Sequence, residues 1–287
     1  MLRRVFANWQ LTMGLPVFAL VLLMAVFAPV LATHDHVSTD MQRRFYPPGT
    51  RYVYVNDAGQ EASGMNILGT DELGRDIFSR IVFGARVSMT VSLTAISLAA
   101  FIGIVIGLVT GYYGGVADTI IMRIIDVIMA LPGMLIALFI IAVFNPSINS
   151  VIMAITVGSV PTFARIVRGS VMSARKLEYI DAIKAVGASD ARVLFRHILP
   201  NILSPIIVQF SLSVGAAIVV TAALSFLGVG IQAPTPEWGA MLQNGRQDMW
   251  RAQHLVLIPG TMIFIVVLSV NLIGDGLRLA LEPKKSR

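Results

Sequence analysis

Six stretches of this sequence are each long and apolar enough to cross a bilayer, and that constrains the fold more than anything else in it. A helix needs roughly 20 apolar residues to traverse the hydrocarbon core. The stretches run about Leu11 to Ala32, Val87 to Val109, Ile120 to Phe144, Ile148 to Ala164, Ile202 to Val229 and Leu255 to Ile273. Arg3 and Arg4 precede the first, as in a secretory signal. Its uncharged run is longer than a signal core, however, and further spans follow, so it reads as a retained helix. Composition agrees: 56% of the 287 residues are hydrophobic and 13% are charged, against about 25% charged in soluble domains. Such a chain lacks the polar surface to cover a water-soluble globule. The expectation is an all-α membrane protein of about six transmembrane helices.

The net charge of +6 is a topology signal rather than a sign of nucleic-acid binding, because the basic residues flank the apolar runs instead of forming one stripe. If the N-terminus is cytoplasmic, thirteen Lys and Arg residues fall inside and eight outside, with Arg123 left at the start of the third span. The inside set comes from the N-terminus, the 165–200 segment and the tail. Both termini are therefore expected in the cytoplasm. The chain then divides into a cytoplasmic N-terminus (1–10), a first helix (11–32), an extracytoplasmic loop (33–86), a five-helix core (87–277) holding the 165–200 loop, and a cytoplasmic tail (278–287).

Ala95, Ala99, Gly103, Gly107 and Gly111 recur every four residues, a ridge that lets another helix backbone come close. Gly111 to Gly115 reads as a tight cytoplasmic turn. Prolines at 16, 132, 161, 205 and 259 interrupt the apolar runs, and each removes a backbone donor and can kink its helix. Arg123 and Asp126, three residues apart on one helical face, read as a structural ion pair that can also reach Asp118.

The 165–200 loop is the most informative segment. Tyr179, Ala182, Ile183 and Val186 follow the i, i+3, i+4, i+7 spacing of a short amphipathic helix, with Gly187 as its stop. Ser189 can cap a second helix running to about Leu199, before Pro200. An apolar face on the water side of a membrane calls for a partner to cover it, unless it folds back on the bundle or lies in the lipid interface.

The stretch Glu178-Tyr-Ile-Asp-Ala-Ile-Lys-Ala-Val-Gly187, followed by His197-Ile-Leu-Pro-Asn201, resembles the EAA loop of ABC importer permeases. Asp181-Ala182-Ile183 stands where that family reads Glu-Ala-Ala, and His197 stands where many members have Ile. Leu68 to Arg80 with Gly84-Ala-Arg86, Pro234 to Met241, and Asn271 to Arg278 with Glu282-Pro283 resemble the dipeptide/oligopeptide/nickel branch, and its C-type permease in particular. Residues 34–66 carry no such resemblance and read as an outer loop peculiar to this lineage.

The resemblance implies a type I importer bundle in a bacterial or archaeal inner membrane. It also implies a coupling helix at Glu178, Tyr179, Asp181, Ala182, Ile183, Val186, Gly187 and Pro200 that docks in a groove of an ATPase. The implied partners are a homologous second permease, two ATPases, an extracytoplasmic solute-binding protein and the surrounding lipid. Peptides are the implied cargo, with nickel or oligosaccharide as alternatives within the branch. No phosphate-binding loop of the Gly-x-x-x-x-Gly-Lys-Ser/Thr kind occurs, so ATP and Mg are expected on the ATPases, with no cofactor and no catalytic site in this chain. His-Glu-x-x-His and Gly-x-Ser-x-Gly are also missing. His34, Asp35, His36 and Asp40 read as solvated loop residues rather than a metal site. An ion-coupled secondary transporter would show inverted repeats and ionisable residues at mid-membrane, and neither is evident. The substrate-binding residues have no signature in the sequence.

Overall fold

The computed structural model describes residues 8–55 and 60–281. Five helices are long and apolar enough to span a membrane: α1 (Trp9–Val26), α3 (Ile77–Tyr113), α6 (Ile148–Ala174), α10 (Leu203–Phe226) and α12 (His254–Leu281). A sixth apolar segment is a pair, α4 (Gly115–Ala130) and α5 (Gly133–Phe144), bent 92° apart. Short helices complete the set: α2 (Ala28–Leu31), α7 (Glu178–Ala185), α8 (Asp190–Arg192), α9 (Leu199–Asn201) and α11 (Trp238–Gly245).

Three of the expected spans change shape for reasons visible in side chains. The second begins at Ile77 rather than Val87, because Asp76 caps it through the Ser79 N–H at 2.8 Å and the Arg80 charge is absorbed by protein. Arg80 is buried beside Asp71, 3.6 Å away, and donates to the His36 carbonyl at 3.1 Å. The third is not one helix: Pro132 has no N–H to give, and Leu131 before it is extended at ψ 138°. The fourth runs on to Ala174, ten residues beyond its last apolar stretch, because Arg165 and Arg168 find carboxylates on α4.

The small-residue ridge meets α6. A Cβ added to Gly103 would lie 2.4 Å from that of Phe163, and one added to Gly107 would lie 2.6 Å from that of Val167. At this contact the Thr156 hydroxyl reaches across to donate to the Ala95 carbonyl at 3.1 Å. Backbones approach this closely only where side chains are absent, which is how helices associate when no hydrophobic drive separates them from lipid. Gly14 on α1 serves the same end against Ser269 and Ile273 of α12.

At one end of the bundle the loops are ordered by polar networks. Asp71 accepts the backbone N–H groups of Leu73 and Arg75 and holds the Arg75 guanidinium at 2.6 Å. Gly74, at φ +74°, lies so close to Asp40 that a Cβ there has no room. A β-hairpin, β1 (Thr50–Val55) and β2 (Glu61–Asn66), interrupts the helical pattern in this region. Tyr52 faces Gly64 across it, and its ring lies over the space a side chain would fill. Helix α11 dips back into the bundle. Trp238 is fully buried over Gly84 and donates to the Ile81 carbonyl at 3.1 Å, while Glu237 caps α11 and accepts from Ser88. Burial among these neighbours pushes the Glu237 carboxyl up from its ordinary range.

Candidate coupling site

The opposite end carries an elbow made of α7, α8 and the turns that follow. Helix α7 has eight residues, too short to persist alone in water. Its packing fixes it. Ile180 is fully buried and Ile183 is half-buried, in a cluster with Tyr112 of α3, Val167 and Val171 of α6, and Val193 and Ile198 beyond α8. Tyr112 adds polar links: its hydroxyl donates to Asp190 at 2.6 Å, and the Lys184 ammonium sits 4.7 Å over its ring. Arg175 donates to the Tyr112 carbonyl.

Gly187 closes α7. At φ +84° it lets its own N–H reach the Lys184 carbonyl at 2.9 Å and the Ala188 N–H reach the Ile183 carbonyl at 3.3 Å. Those two bonds define a Schellman C-cap. Ser189 then caps α8 by accepting the Arg192 N–H at 3.4 Å. From Val193 to Ile198 the chain winds as a wider π-type helix, in which the Leu199 N–H reaches back to the Leu194 carbonyl. Pro200 therefore does not stop a helix, as the sequence suggests it should. It lies at the start of α9, where the wide turn ahead of it relieves the ring clash with the carbonyl four residues back.

The expected four-residue apolar stripe divides. Ile183 turns inward with Ile180, an anchor the stripe omitted. Tyr179, Ala182 and Val186 stay outside, Val186 at 84% exposure and Tyr179 at 39%. Glu178 and Asp181 are exposed as well, and Pro200 lies on the surface nearby. Asp181 enters no ion pair among the described residues, and Ser189 caps the helix junction as expected. The Tyr179 hydroxyl is steadied by the Asn201 side-chain amide at 2.8 Å. The missed signal was a second apolar spacing, Ile180 with Ile183, overlapping the first.

The expected Arg123–Asp126 pair does not form. Asp126 lies 2.6 Å from Arg165, and Asp118 takes both arms of Arg168 at 2.6 and 2.7 Å. Arg123 is exposed, with no ion pair among the described residues. Partners from α6 sit closer to these carboxylates than a neighbour three residues along the same helix. A cleft of about 290 Å³ opens between α5, α6 and α10. Ser159, Thr162, Gln209 and Ser213 line it together with Met134 and Ala137. Polar residues scattered through otherwise apolar runs were the sequence signal for it.

The profile of the binding-protein-dependent transport system inner membrane component matches residues 103–287, and that of the N-terminal TM domain of oligopeptide transport permease C matches residues 1–48. The dipeptide transport system permease protein DppC of Alkalihalophilus pseudofirmus is 45% identical over 271 residues, 94% of this chain and 84% of that protein. The glutathione transport system permease protein GsiD of Pectobacterium atrosepticum is 48% identical over 222 residues, 77% of this chain and 74% of that protein. Among solved structures, the inward-facing MetNI methionine ABC transporter gives a TM-score of 0.57 at 18% identity, covering 72% of this chain and 98% of that one. An amino acid ABC transporter gives 0.56 at 15% identity, covering 71% and 95%. At such identities the structures speak for the fold, and the sequence relatives speak for the family. The match over residues 103–287 and the 45% identity across 94% of the chain show that this chain belongs to the family of inner-membrane components of binding-protein-dependent transport systems.

Proposed function

We propose that this chain is the transmembrane permease subunit of an ATP-binding-cassette importer, carrying dipeptides or oligopeptides across the inner membrane by alternating access. The observation that carries the reading is the elbow. One side of α7 is locked to α3 and α6 through Ile180, while the other presents Tyr179, Ala182 and Val186 uncovered. A partner seated on that outer patch would push on the bundle rather than on a loose loop. Two ATPase subunits supply the partner surface and bind ATP and Mg, leaving this chain without a cofactor. ATP binding favours one of two bundle states and its loss the other, which is a population shift driven by differential affinity. A homologous second permease completes the pathway beside the α5–α6–α10 cleft, and an extracytoplasmic binding protein delivers the solute.

Two relatives are named for dipeptide and glutathione transport, and both cargoes are peptides. The test is uptake into vesicles holding the reconstituted complex. Labelled di- and tripeptides should accumulate with ATP, and nickel ions or oligosaccharides should not. Accumulation of nickel or sugar without peptide would overturn the cargo and leave the permease role standing.

A further inference from the structure

At the end of the bundle opposite the elbow, three arginines from two loops rest on phenylalanine rings. The Arg44 and Arg251 guanidiniums lie 4.7 and 4.6 Å from the centroid of one ring, that of Phe45, though 207 positions separate them in sequence. Arg246 lies 5.4 Å from the ring of Phe226, the last residue of α10. All three are exposed, and none forms an ion pair among the described residues. A ring face attracts a cation, but it cannot neutralise two of them brought to the same ring. Phe45 itself is held at φ +60°, a conformation that side chains disfavour and that persists only where surrounding structure enforces it. Beside them Trp250 is 87% exposed.

The level of this belt along the bundle says what faces it. The apolar run of α1 and α2 ends at Ala32, and the next residues, Thr33 and His34, bond Asp76 and Ser79 at the start of α3. His254, first residue of α12, meets the Thr70 carbonyl at 3.4 Å. Leu255 packs against the backbone of Gly245. The apolar runs of α1–α2 and of α12 thus end near the first turn of α3, and residues 246–251 lie one step beyond. That is headgroup depth, where tryptophan rings collect and arginines meet lipid phosphates.

We propose that Arg44, Arg246 and Arg251 form a binding belt for anionic phospholipid headgroups, with Trp250 set into the bilayer interface beside them. The phosphodiester of a phosphatidylglycerol-type lipid supplies the negative charge that the ring-stacked guanidiniums lack. A zwitterionic lipid offers the same phosphate but cancels it with an ammonium, so the belt selects by net charge. An acidic soluble partner is the rival occupant, and the depth of Trp250 separates the two.

The experiment uses the purified full chain with Trp9→Phe, which removes the other exposed tryptophan. It is reconstituted in vesicles of phosphatidylcholine carrying a small fraction of brominated phosphatidylglycerol or, separately, brominated phosphatidylcholine. Trp250→Phe gives the background from buried Trp238. Trp250 fluorescence should be quenched by both, and several-fold more by the brominated phosphatidylglycerol. The triple variant Arg44→Gln, Arg246→Gln and Arg251→Gln should keep its helix content and its quenching by phosphatidylcholine but lose that preference. Equal quenching by the two lipids in the parent overturns the proposal. So does an unchanged preference in the triple variant. Absence of quenching by either lipid also overturns it, because it puts Trp250 in water and gives the belt to a soluble partner.

Discussion

Gly187 sits at φ +84° with no atom within 4 Å of the place a Cβ would take, so any penalty for a side chain there comes from the backbone alone. A β-branched residue at that φ is a strong outlier. Gly187→Val should therefore cost about 1–2 kcal/mol locally, enough to undo the two C-cap bonds and re-aim α7 without unfolding a membrane bundle. The expected phenotype is a chain that inserts and pairs normally yet loses ATPase association and ATP-driven uptake. Gly187→Asn should retain more of both, since asparagine tolerates this cap. Normal co-purification of the ATPases with the valine variant would detach this residue from coupling. This residue was legible in the sequence because its job is local: a glycine after an amphipathic run, then a serine. Ile180 was not, because its burial depends on Tyr112 and Val167, which lie far away in the chain. The carboxylate pairings of α4 failed to show for the same reason, since the closest arginine in sequence is not the closest in space.

The two faces of α7 make opposite predictions at the scale of the element. Ile180 is fully buried. Its truncation to alanine should cost about 2–5 kcal/mol, read as faster amide exchange throughout the elbow with the spans unaffected. Val186 touches solvent over most of its surface, so Val186→Asp should leave that exchange unchanged while abolishing ATPase binding. If both variants bind the ATPases as the parent does, α7 is not the docking element. Elements whose signal is long and periodic were readable: the small-residue ridge predicted a close helix contact, and α3 and α6 make it. Elements decided by polar satisfaction were not. The added turns of α3 rest on the ion pair of Arg80 with Asp71 and on Asp76 accepting from Ser79, and the wide turn before Pro200 rests on a carbonyl rearrangement that no periodicity encodes.

The two ends of the molecule present different surfaces, and the expected orientation rests on the counts of Lys and Arg in the loops and termini, thirteen inside against eight outside. That bias acts while the chain is being inserted, so the folded bundle does not record it. The chain contains no cysteine, which makes it a clean background for single-site labelling. Val53 on the hairpin is 69% exposed and Val186 on the elbow is 84% exposed, and they lie at opposite ends of the bundle. Val53→Cys should react with a membrane-impermeant maleimide added to intact spheroplasts. Val186→Cys should react only after the inner membrane is permeabilised. Neither position is packed, so neither substitution should perturb folding, and transport by both variants can be checked on the same cells. The reverse pattern would invert the topology and place the elbow where no cytoplasmic ATPase can reach it. The ridge and the buried cluster would survive that result, but the coupling role of Tyr179, Ala182 and Val186 would not.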